Sequence, residues 1–294
     1  MSIRLDLEQA SGIARQLGLN ERGLRCQPIA GGDIAGSWLI DAKDQQLFVK
    51  IMPPRHGSIL SAEADGLSAL AETAAVRVPK VWGRGTEIEF SWLALEYLPL
   101  NPRSREADVR LGRRLARQHR QFGERFGWSR DNFIGLSPQQ NPAEDDWATF
   151  FLWHRLAPQL DMLDSEDPDG AWGRQQRPLF ECWLKRFRHH RPEPALVHGD
   201  LWSGNAAMIE EGEPVIFDPA VHYADRECDL AMSRLFGGFS EAFYQSYEAT
   251  WPLPADHRQR LPWYQLYHLL NHARLFGGAY RERAAGLIRQ LIRD

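Results

Sequence analysis

Ala195-Leu196-Val197-His198-Gly199-Asp200-Leu201-Trp202-Ser203-Gly204-Asn205 is the stretch on which the fold turns, and Pro214-Val215-Ile216-Phe217-Asp218 follows it. Ala195 to Val197 is a short apolar run of the kind that forms a buried strand, and Glu211-Gly212-Glu213 turns the chain into a hairpin whose second strand ends at Asp218. Asp200 and Asn205 lie five positions apart, so an acid, an amide and a second acid gather where a strand pair ends. Phosphoryl transfer requires such a set. One carboxylate orients or accepts the proton of the attacking hydroxyl, while an amide oxygen and another carboxylate hold magnesium against the phosphate oxygens. These roles fall to Asp200, Asn205 and Asp218 respectively. Turn capping alone would account for Asp200 and Asn205 but not for the hairpin and the acid behind them.

Working outward, a kinase also needs a strand lysine for the α and β phosphates and a helix glutamate to fix it. Gln46 to Met52 alternates, with Leu47, Val49 and Ile51 on one face and Phe48, Lys50 and Met52 on the other, so Lys50 sits on an apolar strand. Ser37 to Ile40 forms the strand before it and Asp41 to Asp44 the turn between. Ile59 to Glu72 reads as a helix with Leu60, Ala64, Leu67 and Leu70 on one stripe, and it carries Glu63. Gly31 and Gly32 precede the first strong strand and allow backbone N–H groups to approach phosphates. Trp92 to Tyr97 is a further strand, and Glu96, Tyr97 and Leu98 offer main-chain groups for an adenine edge.

The pattern turns mostly helical after Pro99. Leu111, Leu115, Gln118 and Phe122 share a face, as do Leu266, Leu269, Leu270 and Ala273, while Met162 to Gln176, rich in Asp, Gly and Pro, reads as a loop. The boundary is placed near Leu98 to Pro102. The expected fold class is α+β, with residues 1–98 as a small antiparallel β-sheet lobe with one main helix and residues 99–294 as a larger, mostly helical lobe.

Composition narrows the function classes. The 294 residues are 43% hydrophobic and 25% charged, with a net charge of −4, which argues against a general nucleic-acid footprint. Only four lysines occur, so 31 of the 35 basic residues are arginine, and a lysine on an apolar strand stands out. Cys26, Cys182 and Cys228 are widely spaced without a CxxC pair, and no run reaches the length of a membrane span, so a cytoplasmic protein is expected. His268 and His272 have the spacing of paired metal ligands but lack the glutamate of a metalloprotease helix, and are read as core or interface histidines. Asp229 is expected to accept backbone hydrogen bonds near the catalytic loop.

Taken together the motifs resemble the fructosamine kinase (ketosamine 3-kinase) family within the aminoglycoside-phosphotransferase-like kinases. The resemblance spans nearly the whole chain: Gly31-Gly32, FVK ending at Lys50, AEADGLSAL with Glu63, LALEYL ending at Leu98, LGRRLARQH from Leu111, DNFIG from Asp131, PQQN from Pro138, HGDLWSGN from His198, FDPA from Phe217, DRECDLAMSRLFGGF from Asp225 and LYHLLNHARLFGGAY from Leu266. It implies a bilobal protein-kinase-like fold, ATP and Mg2+ as cofactors, and phosphorylation of the 3-hydroxyl of ketosamines, free or on glycated lysine side chains. Asp33 stands where several relatives carry cysteine, so a redox switch at that loop does not transfer.

The residues themselves agree on a small hydroxyl acceptor, since no long peptide-docking segment follows Asp218. Asp131, Asn132, Gln139 and Asn141 fall in a polar loop suited to sugar hydroxyls, Trp202 is placed to stack on a sugar face, and Glu227 is assigned to the substrate side. The competing readings are a kinase of an aminoglycoside or amino alcohol and a non-catalytic nucleotide-binding scaffold.

Overall fold

A strand that alternates as residues 46–52 do can bury one face against a helix and still present polar groups on the other. The computed structural model describes residues 4–29, 35–43 and 45–293, so Gly31, Gly32, Asp33 and Asp44 lie outside the described residues. Helix α1 (Leu7–Gln16) is followed by β1 (Arg25–Pro28), β2 (Gly36–Ala42), β3 (Gln45–Met52), α2 (Gly57–Glu72), β4 (Val81–Thr86) and β5 (Ser91–Glu96). The five strands form one antiparallel sheet in the order β1-β2-β3-β5-β4, which makes β3 the central strand. Leu47, Val49 and Ile51 pack with Phe90, Trp92 and Ala94 of the β5 region and with Ile13 of α1 in one apolar core. Lys50 points from the other face and is buried all the same. Leu60, Ala64, Leu67 and Leu70 are the buried stripe of α2, which starts at Gly57 because Pro54–His56 already winds a tight turn leading into it.

The remainder comprises α3 (Arg105–Gln118), β6 (Asn132–Ile134), β7 (Ser137–Gln139), α4 (Trp147–Phe151), α5 (Ala157–Ser165), α6 (Gly173–Phe187), β8 (Ala195–Val197), β9 (Ala206–Met208), β10 (Pro214–Ile216), β11 (His222–Ala224), α7 (Glu227–Leu235), α8 (Glu241–Thr250), α9 (His257–Phe276) and α10 (Gly278–Arg293). Two compact units result: Met1–Ala107 with Ala206–Pro219, and Asp108–Asn205 with Ala220–Asp294. The chain is thus not divided at a single point after Leu98. Backbone pairing explains why: Asn101 and Met208 exchange two N–H···O=C bonds of 2.8 and 3.0 Å, and Ile216 donates to the Arg77 carbonyl at 3.0 Å, so the β9-β10 hairpin belongs with the first unit.

In the second unit β8 pairs with β11, and the core is built from α4, α5, α6, α7, α9 and α10 around Trp147, Trp183, Phe187, Tyr264 and Leu270. Leu266, Leu269, Leu270 and Ala273 are all buried. The segment Met162–Gln176 is not the single loop its composition indicates. α5 continues to Ser165 and α6 starts at Gly173, because Asp164 accepts the Gly173 N–H at 2.7 Å and Asp167 accepts those of Asp169 and Ala171, which folds the polar residues into a tight link between helices. Phe122 does not join the stripe of α3; the helix stops at Gln118, and Phe122 is exposed beside the Trp251 ring.

Helix α3 lies so close to α8 that a Cβ on Gly112 would stand 2.2 Å from the Phe243 carbonyl oxygen. Helix propensity favours Ala over Gly by about 1 kcal/mol, but a backbone oxygen at that distance can be relieved only by moving a helix, at a cost of about 1–3 kcal/mol or more. Gly112→Ala is therefore expected to lower the thermal midpoint by several degrees in a calorimetric scan, and an unchanged or raised midpoint would show that α3 and α8 are free to separate.

Candidate active site

The site residues fall into two sets, one in each unit. In the first unit Lys50 leaves the polar face of β3 and Glu63 stands on α2. The Lys50 Nζ donates to Glu63 Oε1 at 2.8 Å and to Asp218 Oδ1 at 2.5 Å. Burial opposes the ammonium charge, but the carboxylates of Asp218 and Glu63 more than offset it and hold the Lys50 pKa above its ordinary value. Lys50 is thus a fixed cation at every physiological pH. Asp218, just beyond β10, has a φ of 57°, a left-handed conformation that Asp tolerates better than most residues but that still carries strain. Its side chain is 34% exposed against 7% for Lys50, so of the two the carboxylate is the group open to a cation from solution.

Glu96 ends β5 with its carboxylate paired to Arg77 at 2.6 and 2.5 Å and accepting the Lys80 N–H at 3.1 Å, while its own N–H donates to the Lys80 carbonyl at 2.8 Å. The Tyr97 N–H reaches the Gln46 carbonyl at 3.5 Å. The side chain and N–H of Glu96 are therefore engaged within the sheet; the loop bearing Gly31 and Gly32 lies outside the described residues.

In the second unit β8 delivers His198-Gly199-Asp200. Gly199 has a φ of 84°, and a Cβ there would stand 2.1 Å from the Ala220 carbonyl oxygen, so this position accepts only glycine. Asp229, in the first turn of α7 and fully buried, accepts the His198 N–H at 2.7 Å, the Gly199 N–H at 2.8 Å and a bond from the His119 ring at 3.0 Å. Burial works against its charge, but these donors hold its carboxyl below the usual carboxylate range. The sequence expectation of a loop-holding acid describes this contact. Asp200 follows with its side chain 23% exposed, and Asn205 Nδ2 donates to the Asp200 carbonyl at 2.9 Å and to its Oδ2 at 3.2 Å. Because the nitrogen end of the Asn205 amide faces Asp200, the oxygen end is the one to meet a cation. Hard oxygen donors from an amide and a carboxylate, as Asn205 and Asp218 present, are the ligands magnesium takes.

The polar loop differs from its sequence reading. Asn132, Gln139 and Asn141 are buried, and their amides bond one another: Gln139 and Asn141 both donate to Asn132 Oδ1, at 2.7 and 2.8 Å. Asn132 donates to the Val221 carbonyl, Arg155 donates to Asn141 Oδ1, and the Tyr267 hydroxyl donates to Gln139 Oε1. This network braces the chain at Ala220 and Val221 from behind, which removes these three amides from direct sugar contact. Asp131 remains exposed and accepts the Asn141 N–H at 2.8 Å. Glu227 is also withdrawn from the substrate side, because it is buried against the Arg260 guanidinium in a bidentate pair of 2.8 and 2.7 Å. Trp202 lays its ring across Gly204, where a Cβ would be 2.3 Å from it, and meets Phe236 edge to face at 6.2 Å.

His268 was not visible as a site residue in the sequence. From α9 its Nδ1 comes within 4.0 Å of Asp200 Oδ1. As the sequence reading of core or interface histidines expects, His268 is buried, and the His272 Nδ1 donates to the His268 carbonyl at 2.9 Å within the helix.

Comparison with known proteins supplies the family. The profile of the fructosamine kinase family matches residues 8–294. A probable ketoamine kinase of Synechocystis is 42% identical over 270 residues, covering 90% of this chain and 89% of that protein, and the probable ketoamine kinase YniA of Escherichia coli is 39% identical over 269 residues, covering 91% and 92%. Among solved structures, a protein of Haemophilus somnus named "putative fructosamine-3-kinase" superposes with a TM-score of 0.86 at 29% identity and covers 96% of this chain and 95% of its own. The small antiparallel sheet and the helical remainder are accordingly those of a kinase-like α+β fold. A family match over residues 8–294, with a relative 42% identical over 90% of the chain, makes the chain a member of the fructosamine kinase family, phosphotransferases that act on a hydroxyl group of ketosamines.

Proposed function

We propose that the protein transfers the γ-phosphoryl group of ATP to the 3-hydroxyl of a ketosamine, with Asp200 as the base. The observation that carries this reading is the carboxylate of Asp200, part exposed, tied at one oxygen by Asn205 and mounted on a loop that Asp229 fixes by two backbone N–H bonds. In the reaction the sugar oxygen attacks the γ-phosphorus in line, the hydroxyl proton passes to Asp200, and the bond to the bridging β–γ oxygen breaks to release ADP. Lys50, steadied by Glu63, supplies a fixed positive charge for the α and β phosphates. Bound through Asn205 and Asp218, magnesium would supply charge neutralisation at the phosphate oxygens. Main-chain groups of Tyr97 and Leu98 and the carbonyl of Glu96 are assigned to the adenine, and Gly31 and Gly32 to the phosphates.

On the acceptor side the short link between Asp218 and α7 supports a small substrate or an adduct on a single side chain, as the eight residues from Pro219 to Arg226 leave little chain for docking a folded peptide. Trp202 and Asp131 are the groups we assign to the sugar. Free ketosamines and glycated lysine side chains of proteins both fit this reading. The three cysteines are free, in keeping with a reducing cytoplasm, and no described helix is long and apolar enough to cross a membrane.

ADP release should be observed with fructose- or ribulose-modified lysine and not with choline or an aminoglycoside; the reverse pattern would sink the substrate assignment. Asp200→Ala is expected to cut kcat by roughly 100- to 10,000-fold while the Kd for ATP, read by calorimetry, stays within about threefold. Lys50→Met should instead weaken ATP binding, and it should also destabilise the fold, because Glu63 is left buried without its cation. Removal of divalent ions with a chelator should abolish turnover, and excess Mg2+ should restore it.

A further inference from the structure

His268 is buried on α9, and its Nδ1 has no hydrogen-bond partner among the described residues. A buried polar atom left unpaired costs about 1–3 kcal/mol, so its retention calls for a partner that arrives in another state. The polar group it faces is the catalytic carboxylate, with Asp200 Oδ1 4.0 Å from Nδ1. The other oxygen, Oδ2, is already held by Asn205 at 3.2 Å, and the Asp200 N–H donates to the His198 ring at 3.2 Å. A shift of about 1 Å would close the remaining gap to an ordinary hydrogen bond.

We propose that His268 is a positioning residue for Asp200: its Nδ1–H donates to Oδ1 when substrate is bound, so that the carboxylate is held at one oxygen by Asn205 and at the other by His268 while it takes the hydroxyl proton. This inference rests on the reading of Asp200 as the base. Neutrality of the imidazole fits the task. Burial, reinforced by His272, lowers the His268 pKa to about 3, so the ring contributes a dipole and no charge. A lysine or arginine in the same place would neutralise the base and reduce its proton affinity, whereas a neutral donor orients it. The packing reinforces the aim, since the His268 ring is buried edge-on to the Tyr267 ring at 5.2 Å and Tyr267 is itself held by Gln139 at 2.7 Å.

Three substitutions at His268, one of them also made in an Asp200→Ala background, test the assignment in the whole chain assayed with ATP and fructose-modified lysine. In side-chain geometry the amide nitrogen of Asn can take the place of Nδ1, whereas that of Gln corresponds to Nε2. His268→Leu should lower kcat by roughly 10- to 100-fold with little change in the KM for ATP. His268→Asn should restore kcat to within about threefold of wild type, and His268→Gln should not. In the Asp200→Ala background, His268→Leu should cause no further loss, because the two residues act as one unit. Wild-type kcat in His268→Leu, or equal rescue by Asn and Gln, would overturn the positioning role even with Asp200→Ala inactive. If His268→Leu fails to fold, folded Asn and Gln variants that differ in kcat carry the same conclusion, and folded variants that do not differ refute it. An active Asp200→Ala enzyme would show instead that the base itself is misassigned.

Discussion

The carboxylate of Asp229 is the constraint on which the chemistry of the second unit depends. A fully buried acid would ordinarily be expelled or protonated, but here it receives two backbone N–H groups and the His119 ring, and in exchange it dictates the course of the chain at His198 and Gly199. The acute turn that results is compatible only with glycine, and it brings Asp200 out of β8 with its side chain part exposed. Everything downstream inherits that geometry: Asn205 reaches back to Asp200, and Ala220 packs against Gly199. The buried amides of Asn132, Gln139 and Asn141 then brace the same strand end from the other side.

The first unit solves a different electrostatic problem. Lys50 is buried, and an isolated buried ammonium would lose its proton. Two carboxylates prevent this, one from α2 and one from the left-handed Asp218. Glu63 is nearly as buried as the lysine, whereas Asp218 is more exposed, so the pair is shielded from solvent on one side and partly open to it on the other. In a chain with only four lysines, it is a compact ammonium group that stands between these two acids.

Local spacing made much of this legible before any coordinates. The Lys50–Glu63 pair joins a strand to the helix that follows it, and Asp200 and Asn205 are five positions apart, so both contacts could be expected from period and spacing. The role of Asp229 as a loop-holding acid was legible for the same reason. Burial is what composition hides. Asn132, Gln139 and Asn141 look like a sugar-binding loop because polar residues cluster there, but their amides pair with one another and with Arg155 and Tyr267 from distant helices. Glu227 was misread likewise, its partner Arg260 being far along the chain. Met162–Gln176 carries loop residues that in fact serve as caps between helices. His268 escaped notice because its meaning lies in a 4.0 Å approach to Asp200 across two elements, whereas on its own helix it reads as a core or interface histidine.

Each unit thus contributes its own set of charged groups, the Asp200 carboxylate in the second and the Lys50 ammonium in the first. The central proposal, transfer of the γ-phosphoryl group of ATP to the 3-hydroxyl of a ketosamine, is tested most directly by phosphorus–proton correlation NMR of the product formed from fructose-modified lysine and ATP. The account predicts a new phosphomonoester whose phosphorus couples to the proton on carbon 3 of the sugar. Coupling to a different sugar carbon, or a phosphorylated amine in place of an ester, would contradict it.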